Sequence, residues 1–250
     1  PTRTERRLLR EHVPGWVADH LPRTLVELGA GAADKTRAIL DAMREVIDGR
    51  VYVPVDISGE FLDGVAEGLR AEYPRTEIRP VVADMSEALP LPASLPGPIL
   101  FALLGSTIGN FPDAEAAALL RRVRSRMGED DRFLLGFDLV KDVEVLEAAY
   151  NDAAGVTAAF NLNVLSVLNR ELGADFDLDA FEHVAFWDPD NEWIDIRLRS
   201  SRNLFDLRDP ATRVNLGEHP GSRSWKARFT HPDGASAVVQ RGNLARSHPG

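Results

Sequence analysis

Short apolar runs alternate with segments of helical periodicity over the first 140 residues. Thr24–Leu28 (TLVEL) is a compact apolar run ending at a glycine, which predicts a buried strand. Residues 35–47 place Ile39, Leu40, Met43, Val46 and Ile47 on one helical face. The same alternation predicts strands at 51–55 (VYVPV), 78–82, 98–104 (PILFALL) and 132–137 (RFLLGF), with helices at 60–71 and 114–127 between them. An amphipathic helix over 6–21 leads in. Pro54 suits an edge or terminal position better than a sheet centre. This order predicts an α/β fold, a doubly wound, mostly parallel Rossmann-like sheet with helices on both faces. The pattern changes after residue 142. Residues 143–172 read as one or two helices linked around 152–155. Residues 181–187 and 192–200 read as strands joined by the turn sequence DPDN. Periodicity weakens beyond 201. The expected organisation is a core over 1–142, a smaller added region over 143–235 and an untidy tail over 236–250.

Composition narrows the function. The 250 residues carry 39 Asp and Glu against 29 Lys and Arg, a net charge of −10. Such a surface repels phosphate backbones, so no nucleic-acid partner is expected. The absence of cysteine removes disulfides, thiolate metal sites and cysteine nucleophiles. The six histidines lack ligand spacing, so no metal site is expected. No apolar stretch is long enough to span a bilayer, and the charged start lacks the apolar centre of a signal peptide. A cytoplasmic monomer, without membrane attachment, is the expectation. The chain opens on proline rather than methionine, as expected of a processed chain or part of a longer one.

In a doubly wound sheet, ligands bind beyond the carboxyl ends of the strands. Those ends carry Glu27, Asp56, Asp84 and Asp138 here. Gly29 and Gly31 allow a tight turn and close approach of a ligand to the backbone. An acid ending the second strand suits the two hydroxyls of a ribose, and one ending the third suits an adenine amino group. Taken singly, each acid reads equally well as a turn or cap residue. Asp34 stands where a dinucleotide fingerprint has its third glycine, and would face a pyrophosphate at a helix N-terminus. No Walker sequence follows. A nucleoside cofactor without phosphates fits better. S-adenosylmethionine, with its adenosine, sulfonium and amino-acid tail, matches an acidic site with Lys35 near the tail carboxylate. A class I methyltransferase is thus expected.

The segments ELGAGAADKTR, YVPVDIS, VVADM, LLGSTIGNF and GFDLVKD, with AYNDAAGVTAAFNLNVLSVLNRELGADFDLDAFEHVAFWD, resemble the histidine Nα-methyltransferases of ergothioneine biosynthesis over about residues 1–200. The resemblance implies transfer of three methyl groups from S-adenosylmethionine to L-histidine through its methylated intermediates. The products would be hercynine and S-adenosylhomocysteine. It also implies a class I methyltransferase core with an added substrate-binding region. Gly29, Lys35, Asp56, Asp84 and Met85 match the family's cofactor contacts. Asn110 and Tyr150 match residues that hold the histidine; without the resemblance, Asn110 reads as an N-cap or loop residue and Tyr150 as a helix-face aromatic. No catalytic acid or base is assigned. Two features depart from the family: the preceding tyrosine-bearing segment, and a Thr-Glu-x-Ser stretch that grips the imidazole. The latter is replaced by SRSWKARFTH, with Ser224 and Lys226 at the nearest positions. Methylation of another small amine or amino acid, or cofactor binding without turnover, are the alternatives this leaves. A nicotinamide oxidoreductase is disfavoured by Asp34 and by the lack of a Tyr-x-x-x-Lys pair.

Overall fold

The computed structural model describes residues 2–87, 89–172 and 174–200, and beyond these the backbone of Lys226–Thr230, Ser236–Gln240 and Asn243–Arg246. The chain divides into two compact units, Pro1–Leu139 and Val140–Gly250.

The first unit is built on parallel strands: β1 (Thr24–Leu28), β2 (Arg50–Asp56), β3 (Thr76–Ile78), β4 (Val81–Val82), β5 (Ile99–Leu103) and β6 (Arg132–Leu135). Their order is β3-β2-β1-β5-β6, with β4 also pairing to β2. Strand order reverses between β1 and β5, so the crevice beyond their carboxyl ends is the topological switch point. The helices are α1 (Thr2–His20), α2 (Thr36–Val46), α3 (Gly59–Glu72) and α4 (Asp113–Arg126). Alternate residues of β1 face opposite layers. Leu25 packs with Leu9, Val13 and Val17 of α1 and Ile39, Leu40 and Met43 of α2. Val26 and Leu28 pack with Phe101, Leu103, Leu119 and Val123 on the other side. A strand buried on both faces cannot alternate apolar with polar, which is why these segments read as continuous apolar runs.

Two expectations for this sheet need correction. Pro54 lies in an interior strand, in register with Glu27 of β1. It is tolerated because β3 pairs only with residues 50–52 and β4 only with residues 55–56, so a gap in the ladder falls beside it. The expected single strand over 78–82 is likewise two. Pro80 supplies no N–H, and the ladder breaks at Arg79–Pro80.

The second unit contains α5 (Val143–Tyr150), α6 (Val156–Leu172), β7 (Phe181–Asp188), β8 (Trp193–Ser200), β9 (Lys226–Thr230), β10 (Ser236–Gln240) and β11 (Asn243–Arg246). Its sheet runs β11-β10-β9-β8-β7, antiparallel except for the β8–β9 pair. Asp152 separates the two helices by accepting the N–H groups of Val156 and Thr157, which starts α6. Bonds from Thr157 and Val156 hold its carboxyl down at about 2. The tail expected over 236–250 instead contributes β10 and β11 to the ladder. Segments of five and four residues show little periodicity of their own, and the pairing partner supplies the order. The remaining positions of that tail lie outside the described residues.

Candidate functional site

The turn after β1 is forced by sequence. Gly29 has φ +66° and Gly31 φ +50°, a region that costs side-chain-bearing residues strain. The Gly29 and Ala30 N–H groups both donate to Val55 O, which ties the turn to the end of β2. Asp56 ends β2 and braces the same turn. One of its carboxylate oxygens accepts the Gly31 N–H at 3.0 Å, and the other accepts the Ser58 N–H at 3.1 Å. Each oxygen has a second lone pair, so the oriented carboxylate can still accept two hydroxyls.

Asp84 follows β4. One of its oxygens accepts the Ser86 N–H at 2.8 Å and the Ser86 hydroxyl at 2.6 Å, a closed turn that fixes the neighbouring Met85. Half-buried Met85 lies over the glycine turn: a Cβ on Gly29 would come 3.0 Å from Met85 Cε. Gly29, Asp56, Asp84 and Met85 therefore gather at the carboxyl ends of β1, β2 and β4. This arrangement fits a nucleoside: two acids for hydroxyl and amino groups, a thioether for a flat ring, and a backbone turn without side chains for close approach.

Lys35 immediately precedes α2. Its Nζ lies 2.5 Å from a Glu5 carboxylate oxygen of α1, an ion pair absent from the expectations above. Asn110 ends a 3-10 turn over Thr107–Asn110 and is exposed. It is not the cap of α4, whose N-cap is Pro112. The loop before it is tightly wound, with Gly105 at φ +82° and Ser106 at φ +57°. A left-handed non-glycine residue is costly, and such residues gather at ligand-binding loops. Tyr150 is in the second unit, at the last turn of α5, with 38 % of its surface exposed. Its carbonyl oxygen is 2.8 Å from His183 Nε2 on β7. The Ser222–His231 stretch lies outside the described residues apart from the backbone of β9, and so does Ser224.

Glu27 does not join the other strand-end acids. It is 3 % exposed and accepts bonds from the Thr36 hydroxyl and, at 2.6 Å, from Tyr52 OH. It clamps the start of α2 to β1 and β2. Burial pushes its carboxyl up to about 7, against the opposing effect of the two hydroxyl bonds. Burial also drives the Tyr52 hydroxyl upward, with the Glu27 charge adding to it. A carboxyl near 7 in the fold and about 4.5 when exposed holds its proton more tightly when folded. Its contribution is present in full below about pH 4.5 and is lost as pH rises toward 7. Glu27→Gln removes that dependence. Thermal melts should show the wild type losing ground to the variant between pH 5 and 8, by about 3 kcal/mol at most. A gap that stays constant with pH would mean that Glu27 ionises in the fold as readily as in water.

Among the described residues, no group of three or more His, Asp or Glu side chains is placed to hold a metal ion. No helix among them is long and apolar enough to cross a membrane.

Comparison with known proteins shows the family. The model of the histidine-specific, S-adenosylmethionine-dependent methyltransferases matches residues 1–219. The match ends short of Ser222–His231. Histidine N-alpha-methyltransferase of Mycolicibacterium smegmatis is 48 % identical over 202 residues, covering 80 % of this chain and 62 % of that protein. Its namesake in Mycobacterium tuberculosis is 45 % identical over 219 residues, covering 87 % of this chain and 65 % of that one. Ergothioneine biosynthesis protein 1 of Schizosaccharomyces pombe is 29 % identical, covering 68 % of this chain and 23 % of that protein. The chain thus spans less than two thirds of the length of the relatives it matches.

Proposed function

The chain belongs to the histidine-specific, S-adenosylmethionine-dependent methyltransferases, and on that premise we propose that it transfers methyl groups to the α-amine of L-histidine, forming the trimethyl betaine hercynine for ergothioneine biosynthesis. The observation that carries the reading is the convergence of Gly29, Asp56, Asp84 and Met85 at the strand ends of a chain matched by that family model over residues 1–219.

S-adenosylmethionine, when bound, supplies an electrophilic methyl group on a sulfonium. The chain's own residues bind and orient. Asp56, held by Gly31 and Ser58, would accept the ribose hydroxyls. Asp84 would receive the adenine amino group, and Met85 would cover the ring. Lys35 would pair with the carboxylate of the amino-acid tail. The sulfonium is cationic, so an acidic surround suits it. Asn110 is assigned to the histidine carboxylate or amine.

The nucleophile is a neutral amine, because an ammonium has no lone pair to attack with. A free α-amine has a pKa near ~7.7–8.0, so a useful fraction is neutral close to pH 7.5 without a strong base. Catalysis then rests on orientation more than on proton abstraction. Each methylated intermediate must lose a proton before the next transfer, and water or a tyrosine hydroxyl suffices to carry it. Tyr150 is assigned near that amine. Tyr150→Phe should weaken L-histidine binding or slow turnover by about tenfold while leaving S-adenosylhomocysteine affinity unchanged. A loss confined to the cofactor would remove Tyr150 from the substrate site.

Calorimetry tests the order of assembly. S-adenosylhomocysteine should bind the free chain, and L-histidine should then bind that complex. A complex indifferent to histidine would point to another small amine as the substrate.

A further inference from the structure

Glu5 stands outside every motif the sequence offers for the cofactor, in the first turn of α1. Its side chain is only 18 % exposed. One carboxylate oxygen is 2.5 Å from Lys35 Nζ, and the other accepts the Gly105 N–H at 2.8 Å. Lys35 lies beyond β1 and Gly105 beyond β5, and these two strands are paired through Leu28 and Leu103. Glu5 therefore bridges the two strand ends that border the switch point. Gly136, just past β6, is fitted to it: a Cβ at that position would run into the Glu5 carboxylate.

We propose that Glu5 is a positioning residue for the amino-acid end of the cofactor, holding Lys35 and the Gly105 turn in place to receive it. The proposal rests on the cofactor site described above. A lysine ammonium has three donors on a flexible four-carbon stem. One donor held by Glu5 fixes the stem and leaves two for the tail carboxylate. The bridge also secures the loop that runs through left-handed Gly105 and Ser106 toward Asn110.

A carboxylate in contact with an ammonium and a backbone N–H could instead be a plug in the seat of the tail carboxylate. The anchoring of α1 argues against it. Leu9, Val13 and Val17 are 4 %, 1 % and 1 % exposed and share one apolar cluster with α2. Arg6 pairs with Asp34 at 3.1 Å, which ties the helix to the same turn a second time. A plug must leave when ligand arrives, and this anchoring holds the Glu5 backbone at the site, leaving only rotation of its side chain.

The test is calorimetric titration of the wild type, Glu5→Gln and Gly136→Ala. Two probes are used: S-adenosylhomocysteine and 5′-methylthioadenosine, which shares the nucleoside and sulfur but lacks the amino-acid end. Glu5→Gln should weaken S-adenosylhomocysteine by about tenfold, the scale of one charge-assisted hydrogen bond, and leave methylthioadenosine unchanged. Gly136→Ala should reproduce that selectivity, because its methyl group takes the room of the carboxylate. Equal weakening of both probes would overturn the proposal in favour of a purely structural role. Tighter S-adenosylhomocysteine binding by Glu5→Gln would overturn it in favour of a plug. Failure of the wild type to bind either probe would overturn the cofactor reading itself, and this proposal with it.

Discussion

Replacing Gly29 by valine should weaken S-adenosylhomocysteine binding by roughly a hundredfold or more, about 2.7 kcal/mol. Two effects act together. Gly29 has φ +66°, and a β-branched residue forced into that region carries strain of about 1–3 kcal/mol. Even a Cβ would stand 3.0 Å from Met85 Cε, and the valine methyl groups extend further into the space the nucleoside is to occupy. The Met85 thioether end is flexible and can move aside, so the turn itself survives better than the site does. Gly29→Ala separates the two contributions. It keeps the backbone strain and removes the bulk, so its loss of affinity should be the smaller. Calorimetry alongside thermal melts reads both. Wild-type affinity in Gly29→Val would place the nucleoside away from this turn.

Asp56→Ala should weaken the same ligand by tenfold or more, about 1.4 kcal/mol. The carboxylate has two tasks. It is the assigned acceptor for the ribose hydroxyls, and it holds the Gly31 N–H at 3.0 Å and the Ser58 N–H at 3.1 Å. Alanine abolishes both, and the turn after β1 keeps only its main-chain bonds to Val55 O of β2. Asp56→Asn halves both tasks. Its amide oxygen can still accept one N–H and one hydroxyl, while its NH2 group can accept neither. Its affinity should fall between those of the wild type and Asp56→Ala. Unchanged affinity in Asp56→Ala would remove this residue from the site.

The strands and the glycine turn were legible because they depend on local chemistry. β1 occupies Thr24–Leu28, as the apolar run predicts, since burial on both faces writes itself into consecutive residues. Asp56 and Asp84 were legible through their place at strand ends. Glu27 shares that place and was misleading. Its burial is decided by Thr36 across the turn and Tyr52 on the next strand, neither of which marks Glu27 in the sequence. Pro54 and Pro80 show the same limit at the level of backbone pairing. A proline's fit in a sheet depends on which partner stops beside it, and that is a property of register. Glu5 was illegible because its partners lie 30 and 100 residues away, at Lys35 and Gly105. Asn110 and Tyr150 entered through family resemblance alone, since a single polar loop residue or helix-face aromatic has no distinctive pattern of its own.

Mass spectrometry of L-histidine incubated with this chain and S-adenosylmethionine reads methyl transfer itself. Histidine should emerge carrying one, two and finally three methyl groups on its α-nitrogen, with S-adenosylhomocysteine formed alongside. Histidine left unmethylated by a chain that binds S-adenosylhomocysteine would contradict the proposed function.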